Sequence, residues 1–464
     1  MKNIYLPMLM LLFVGITDAA AQPAIDKDFK KQTVLTIDKL MNDFYVYPEV
    51  AKKTGDHLKK QLESGHFDQY SDLESFSKAL TQEVQAINKD KHMKVRPSQG
   101  MMRNNAPMSS EDHVEALLKN IKMPQGSKGG FFEAKKLRGN IGYLEIRGFA
   151  NPAEGAPVAD AYMKLLQDAD AMIIDLRKNG GGSPEMVQYL CSYFFDKKVH
   201  LNSIYHREGN KTKDYWTLEN VNGQKMPEVP LFVLTSNYTF SGAEEFSYNM
   251  QTQKRATLIG ETTGGGANPG GVRRINEQLA IFIPDGAAKN PITKTNWEGT
   301  GVVPEVKTTA EAALEKGIEL ATKAAEEHRQ TKYTAGKTVL SNIFKNVETL
   351  SSSYTDQGMN ETIQLFKTAI GKGLLNEAQI NMIGYAEMEN NRVNMAEVIL
   401  KANTLLFPTS PNTYDSYAEA LAKNNKRDLA MKAYERAVEI ASTSNDPNVG
   451  TYKENLAKLK DSRN

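Results

Sequence analysis

A serine between an apolar run and a helix-like stretch is the first candidate for chemistry in this sequence. Ser241 lies in TSNYTFSGAEEF, after the apolar run 230–234 and before apolar residues with helical spacing. Two interpretations are open. Ser241 and Glu244 match the S-x-x-E pattern of a capping box, in which both side chains satisfy free N–H groups at a helix start. Alternatively, a serine hydroxyl presented at such a turn can act as a nucleophile.

Two glycine-rich turns flank the segment that carries this serine. The first, KNGGGSP, directly follows the apolar run AMIIDLR and contains Gly180, Gly181 and Gly182. The second, GETTGGGANPGG, follows the next strand-like run after the serine. Glycines at strand ends leave backbone N–H groups uncovered, which suits an oxyanion hole and a substrate groove, although a flexible turn would have the same composition.

The order of these segments resembles that of a known enzyme family. DLRKNGGG, TSNYTFSGAEEF, RATLIGETTGGGA and EGTGVVPEV follow one another as in the tail-specific, or C-terminal processing, serine peptidases, over residues 26–320. The resemblance implies a crotonase-like β/β/α core with a smaller helical N-terminal lobe. It also implies that Ser241 attacks a peptide carbonyl. The N–H of Gly242 and an N–H of the Gly181–Gly182 turn, assigned to Gly181, would then hold the oxyanion.

The resemblance also suggests a general base. One branch of the family uses a lysine on the turn after the serine, but Gly266 occupies that position here. His92, in KDKHMKVRP, resembles the D-x-H-x-x-V element of the branch that includes the tricorn core and the interphotoreceptor retinoid-binding protein, where the histidine is the base. The same branch implies that Glu298, in EGTGVVP, supports the histidine through a preceding serine. Lys91 replaces that serine in this sequence.

Two regions must position these residues. Residues 22–97 carry regularly spaced apolar positions and few Gly or Pro, which predicts a helical N-terminal lobe. Residues 98–326 alternate strand-like and helix-like segments, which predicts an α/β peptidase core whose partly parallel sheet is buried on both faces. A further strand, in QLAIFIPDG, is expected near the end of this sheet. Asp175 and Arg177 are expected to pair and to brace the first glycine turn.

Residues 338–464 carry an internal repeat. Ala396 and Ala430 are 34 residues apart, as are Leu400 and Tyr434, and this is the period of tetratricopeptide repeats. Small residues at such positions allow antiparallel helices to approach closely. The pattern predicts an all-α tetratricopeptide-like domain, with an ordinary helical bundle as the alternative. The loosened pattern around 327–340 suggests a domain boundary.

Composition and the N-terminus restrict function and location. Lys and Arg total 57 against 56 Asp and Glu, which disfavours nucleic-acid binding. Residues 1–21 combine a lysine, an apolar run and an A-x-A site, which predicts a signal peptide cleaved after Ala21 and a secreted or periplasmic protein without a stable membrane anchor. The sequence contains no H-E-x-x-H motif and no His/Cys cluster with ligand spacing, so no metal or other cofactor is expected.

The combined prediction is an exported serine endopeptidase that hydrolyses unfolded or C-terminal protein segments through an acyl-enzyme. Members of the family often carry a PDZ domain that captures substrate C-termini, but the roughly forty residues between His92 and the sheet region are too few for one. The C-terminal repeats are therefore expected to hold a peptide substrate or a partner protein. The retinoid-binding relatives imply the alternative, a non-catalytic binding protein for an apolar ligand or peptide.

Overall fold

The computed structural model describes residues 25–98, 110–111, 114 and 129–461. The predicted signal peptide, residues 1–21, lies outside them. The chain divides into two compact units, Met1–Glu326 and Glu327–Asn464. No helix in the described ranges is both long and apolar enough to cross a bilayer.

The first unit is a mixture of helices and strands. The described α-helices are α1 (Lys27–Phe44), α2 (Pro48–Glu63), α3 (Leu73–Asn88), α4 (Pro152–Leu166), α5 (Pro184–Ser192) and α6 (Gly242–Thr252). The described strands are β1 (Val95–Pro97), β2 (Phe131–Leu137), β3 (Ile141–Ile146), β4 (Ala171–Asp175), β5 (His200–His206), β6 (Lys211–Trp216), β7 (Leu231–Thr235), β8 (Thr257–Gly260), β9 (Gly270–Arg274), β10 (Leu279–Pro284), β11 (Gly286–Lys289) and β12 (Val306–Lys307).

Helices α1 to α3 form the N-terminal helical region because their apolar residues recur at helical spacing. Val34, Ile37 and Met41 line one side of α1 and are fully buried. The Asp72 side chain accepts a backbone N–H of the first turn of α3, which caps that helix. Lys89 adopts a left-handed conformation, with φ 59°, and ends α3. The chain then enters the KDKHMKV segment and continues into β1.

The main sheet has the order β12-β8-β7-β4-β3-β2 among the described strands. Its neighbours are parallel except for the antiparallel pair β2 and β3. Strands β3, β4 and β7 are buried along their whole length. Helices α4 to α6 contribute to the core on one face, and residues 313–325, the start of a long helix, contribute to the other. This confirms the prediction of a partly parallel sheet that is covered on both faces.

The strand in QLAIFIPDG does not extend the main sheet, which corrects the sequence prediction. It forms β10, the middle strand of a separate antiparallel sheet with the order β1-β10-β9. Val95, Leu279 and Ile281 from this small sheet join the apolar core of the helical region. The pairing of β1 with β10 therefore fixes the segment that precedes β1 against the α/β region. Strands β11, β5 and β6 form another antiparallel sheet.

The C-terminal region is helical wherever the structure describes it with regular elements. Its helices are α7 (Ala313–Ser352), which begins in the first unit, α8 (Asp356–Gly371), α9 (Glu377–Glu389), α10 (Val393–Leu406), α11 (Pro411–Lys423), α12 (Arg427–Ser444) and α13 (Val449–Asp461). Helix α7 continues through 327–340, the region where the sequence pattern suggested a domain boundary, and the two compact units divide between Glu326 and Glu327. Ala396 and Ala430 are fully buried, and a Cβ atom on Gly384 would lie 2.5 Å from the Leu400 side chain. Small residues thus permit close packing of these helices.

Candidate active site

Ser241 lies on a strained turn between β7 and α6. Its φ and ψ are 53° and −120°, whereas an ordinary N-cap residue has extended backbone. A positive φ is unfavourable for a serine, and such strain is typical of functional turns that present a side chain between a strand and a helix. Ser241 is only partly buried and lines a cavity of about 340 Å³. We call it the serine cavity; Gly182, Ser241, Gly242, His92 and Glu245 are among its lining residues.

Glu244 connects the turn of Ser241 to the second glycine-rich turn. Its carboxylate accepts the backbone N–H of Ser241 at 2.9 Å, which is one half of the predicted capping box. It also accepts the N–H groups of Gly265 at 2.6 Å and Gly266 at 2.8 Å, and the hydroxyl of Thr263 at 2.5 Å. Burial raises the pKa of Glu244 while these hydrogen bonds oppose the increase. Glu244 therefore caps the start of α6 and also joins the turn of Ser241 to the second glycine-rich turn.

The first glycine turn packs directly against Ser241. A Cβ atom on Gly181 would lie 2.7 Å from the Cβ of Ser241, so only glycine fits there. The N–H of Gly181 donates to Asn179 Oδ1 at 2.9 Å. The N–H of Gly181 thus already has an acceptor, which disfavours its predicted role as an oxyanion donor; that role stays a prediction.

Gly182 is better placed than Gly181. In its bridge with Phe149, the hydrogen bonds are made by the Gly181 carbonyl and the Ser183 N–H, so the N–H of Gly182 points away from Phe149. A Cβ atom on Gly242 would lie 3.1 Å from the Gly182 nitrogen. The backbones of Gly182 and Gly242 therefore lie close together, and both residues line the serine cavity.

His92 lies in the loop between α3 and β1 and also lines the serine cavity. Its side chain is 10% exposed, and its ring packs on Phe240 and Phe282 with centroid distances of 4.5 and 5.5 Å. Neither ring nitrogen has a hydrogen-bond partner among the described residues. A Cβ atom on Gly266 would lie 2.6 Å from His92 Cε1 and 2.2 Å from Phe240 Cζ. The two rings thus occupy the space that a side chain at position 266 would need.

Two buried carboxyl groups lie beside His92. Asp90 is fully buried; its Oδ1 accepts the backbone N–H of His92 at 3.0 Å and lies 3.4 Å from His92 Nδ1. Asp90 Oδ2 accepts a hydrogen bond from Asn268 at 3.0 Å. Glu298 accepts the Ala267 N–H at 2.6 Å, while its Oε1 has no partner among the described residues. Burial, and then the charge of Asp90, raise the pKa of Glu298.

The structure places Glu298 near His92, and its role as the orienting acid stays a prediction. Asp90 was not identified from the sequence. One ligand-type atom from each of Asp90, His92 and Glu298 lies within 4.8 Å of the others, a spacing that could also hold a metal ion. The expectation of no metal stays a prediction. The aspartate of the D-x-H element is the one sequence signal for Asp90. Its burial beside His92 is visible only in the structure.

Asp175 and Arg177 pair as predicted. Arg177 donates to both carboxylate oxygens of Asp175, at 2.9 and 2.6 Å, and also to the carbonyl of Ala310 at 2.6 Å. The Tyr143 hydroxyl donates to Asp175 at 2.8 Å. These contacts fix the end of β4, where the first glycine turn begins.

Glu245 is a second buried carboxyl group on α6 and lines the serine cavity. Its Oε1 accepts a hydrogen bond from Asn202 at 3.2 Å. Burial raises its pKa from 4.5 to about 7. Glu245 was not predicted from the sequence, because a charged residue one position after a capping glutamate usually faces solvent.

Comparisons with known proteins find matches in one peptidase family. The model of peptidase family S41 matches residues 140–308, and the model of the N-terminal domain of peptidase S41 in eukaryotic IRBP matches residues 27–127. The carboxy-terminal-processing protease of Bartonella bacilliformis is 25% identical over 175 residues, which is 37% of this chain and 39% of that protein. The chloroplastic carboxyl-terminal-processing peptidase 2 of Arabidopsis thaliana is 28% identical over 36% of this chain and 31% of that protein.

The chain thus matches less than two-fifths of the length of these two relatives. Among solved structures, the photosystem II D1 C-terminal processing protease is 15% identical with a TM-score of 0.40, covering 61% of this chain and 94% of that chain. The two family models together account for the helical N-terminal region and for most of the described α/β region. The chain belongs to peptidase family S41.

Proposed function

We propose that this protein is a serine peptidase in which Ser241 is the nucleophile and His92 the general base. One observation carries the proposal: a strained serine, a histidine and two glycines line one cavity, and the histidine ring nitrogens have no hydrogen-bond partner in the described part of the chain. His92 takes the proton of the Ser241 hydroxyl while the serine oxygen attacks the substrate carbonyl. The N–H groups of Gly182 and Gly242 stabilise the resulting oxyanion. His92 then returns the proton to the leaving amine, and water hydrolyses the acyl-enzyme.

The two carboxyl groups beside His92 have different roles in this proposal. Asp90 is the positioning residue, since its Oδ1 lies 3.4 Å from Nδ1 and also binds the backbone N–H of the same histidine. An anion on that side orients the ring and stabilises the imidazolium that forms during attack. Glu298 is the predicted orienting acid, but its raised pKa favours the protonated form. Because burial and the negative charge of Asp90 favour the protonated form of Glu298, we assign the stabilisation of the imidazolium to Asp90.

The substrate and the location are further parts of the proposal. Export through a signal peptide would place the enzyme in the periplasm or outside the cell, where it would cleave unfolded or C-terminal protein segments. A crotonase-like core is part of the proposal, because that arrangement would bring Ser241 and the first glycine turn to one cavity. The close helix packing at Gly384 and Ala396 supports a tetratricopeptide-like architecture, which would hold a peptide or a partner protein.

Labelling by an active-site fluorophosphonate and cleavage of denatured casein test this proposal. The parent protein should be labelled and should cleave casein, and Ser241→Ala should lose both, whereas Ser64→Ala, a change at an exposed serine, should lose neither. Thermal unfolding of each variant verifies that it is folded. A folded parent that is neither labelled nor active would refute the peptidase and favour the non-catalytic binding protein.

A further inference from the structure

The small sheet has two chemically different faces. Val95, Leu279 and Ile281 face the apolar core of the helical region. The alternate residues of the same strands face outward. These outward residues include Lys94 and Arg96 at β1, Ala280 and Phe282 on β10, and Val272 on β9. Cross-strand register joins them, since Arg96 pairs with Ala280, and Phe282 pairs with Val272.

This outward face lines a second cavity of about 530 Å³, which we call the basic cleft. Its cationic lining residues are Lys91, Lys94 and Arg96, and no aspartate or glutamate is found among the described residues that line it. The exposed side chains of Tyr238 and Val272, 64% and 51% exposed, add apolar surface.

The basic cleft adjoins the serine cavity. His92, Gly180, Phe240 and Phe282 line both cavities. A polypeptide that places a peptide bond at Ser241 can therefore extend along the outward face of the small sheet. The basic cleft occupies one side of this path.

The cations of the basic cleft are available to a ligand. Lys94 and Arg96 are exposed, and neither forms an ion pair with another described residue. Lys91 donates to the carbonyl of Gly264 at 2.6 Å, which holds its ammonium group at the edge of the cleft. Lys94 and Arg96 also line a pocket with Asp72 and Glu74, but form no ion pair with either of them. The lining of the basic cleft itself therefore carries a net positive charge, which favours an anionic ligand.

We propose that the basic cleft binds a carboxylate of the substrate polypeptide close to the scissile bond. The inference rests on the proposed peptidase function and adds a preference for acidic substrate segments. The apolar side chains of Phe282 and Val272 contact the substrate chain, while Lys94 and Arg96 pair with the carboxylate. That carboxylate belongs either to an Asp or Glu side chain or to the substrate C-terminus, and the same chemistry recognises both.

Peptide binding to the Ser241→Ala protein tests the inference without requiring turnover. Fluorescein-labelled short peptides that differ only in Glu or Gln, each as a free acid and as a C-terminal amide, are titrated by fluorescence anisotropy. The Kd of the Gln peptide should exceed that of the Glu peptide by about three- to tenfold, because exposed ion pairs contribute modestly. The difference should shrink as salt is added.

Matched variants identify the residues responsible. In the Ser241→Ala background, Lys94→Gln with Arg96→Gln should bring the ratio of Kd values close to one. Lys94→Arg with Arg96→Lys retains both charges and should preserve the ratio. Lys31→Gln with Lys53→Gln removes two charges from exposed positions on α1 and α2 and should also preserve it.

The outcomes separate the two proposals and the two carboxylate sources. A Glu preference supports side-chain recognition, and a preference for the free acid over the amide supports recognition of the C-terminus. The inference is overturned if neither preference exists, if no peptide binds, or if the preference survives Lys94→Gln with Arg96→Gln. Fluorophosphonate labelling of the parent decides the peptidase function separately, whatever the peptides show.

Discussion

Gly266 offers the sharpest test of how His92 is positioned. A methyl group at this position would lie 2.6 Å from His92 Cε1 and 2.2 Å from Phe240 Cζ, while ordinary contacts begin at 3.4 Å. Gly266→Ala therefore requires His92 to retreat by about 0.8 Å and Phe240 by more. The backbone of residue 266 cannot easily yield, because its N–H is held by Glu244 and its carbonyl accepts from Trp297.

The expected cost follows from these distances. Overpacking of a closely packed site destabilises a protein by about 1–3 kcal/mol. Displacement of a general base by nearly an ångström lowers the catalytic rate by about 10²-fold, even when the protein remains folded. Gly266→Ala should therefore reduce kcat much more than it reduces the folded fraction at the assay temperature.

Gly271→Ala is the matched control, because a Cβ atom there would have no heavy atom within 4 Å. Chemical denaturation measures the free energy of unfolding of both variants, and casein or peptide cleavage measures kcat and KM. Gly271→Ala should remain within about twofold of the parent in kcat, since exposed substitutions rarely have larger effects. If Gly266→Ala retained the kcat of the parent, the proposed position of His92 relative to Ser241 would be refuted.

Three further predictions concern carboxyl groups, two beside His92 and one that lines the serine cavity. Asp90→Asn should lower kcat by about 10²-fold and change the pH–rate profile with little effect on KM, because the charged partner of His92 is lost; kcat within twofold of the parent would contradict this. Glu298→Gln should keep kcat near neutral pH within about fivefold of the parent, since a raised pKa favours the neutral form. Glu298→Ala should lose more, and equal losses in the two variants would argue against a neutral role. The pKa of Glu245 is 4.5 in the unfolded chain and about 7 in the folded protein. The free energy of unfolding that this shift contributes is complete below pH 4.5. It declines by roughly 3 kcal/mol as pH rises from 4.5 to about 7. Glu245→Gln stays neutral, so denaturant melts from acidic to alkaline pH should lack that decline, and parallel profiles would count against the assignment.

Most of the candidate site could be predicted from the sequence because the relevant signals are local. Ser241 lies between an apolar strand and a helical pattern, and the glycine turns follow apolar strands, so the sheet topology brings them together. His92 could be selected from seven histidines only through its resemblance to a family element. The covered, partly parallel sheet was also predictable, since β4 and β7 are apolar except for their last residues.

The remaining features depend on tertiary structure and have no local signal. Asp90 lies in a polar segment that looks solvated, and it is buried only because Asn268 and the helical region pack around it. Three consecutive glycines do not reveal which N–H is free, so Gly181 and Gly182 could not be separated from sequence. The alternation in β10 is the same for either sheet, and hence its pairing with β1 could not be inferred.

The pairing of β1 with β10 has a consequence for when this protein can act. His92 and Ser241 are about 150 residues apart in the chain, and contacts of such long range form late in folding. Until the short strand after His92 docks on β10, the proposed base and nucleophile belong to separate parts of the molecule. Proteolysis would then be restricted to the completed fold, and a nascent or partly opened chain would be inert toward its neighbours.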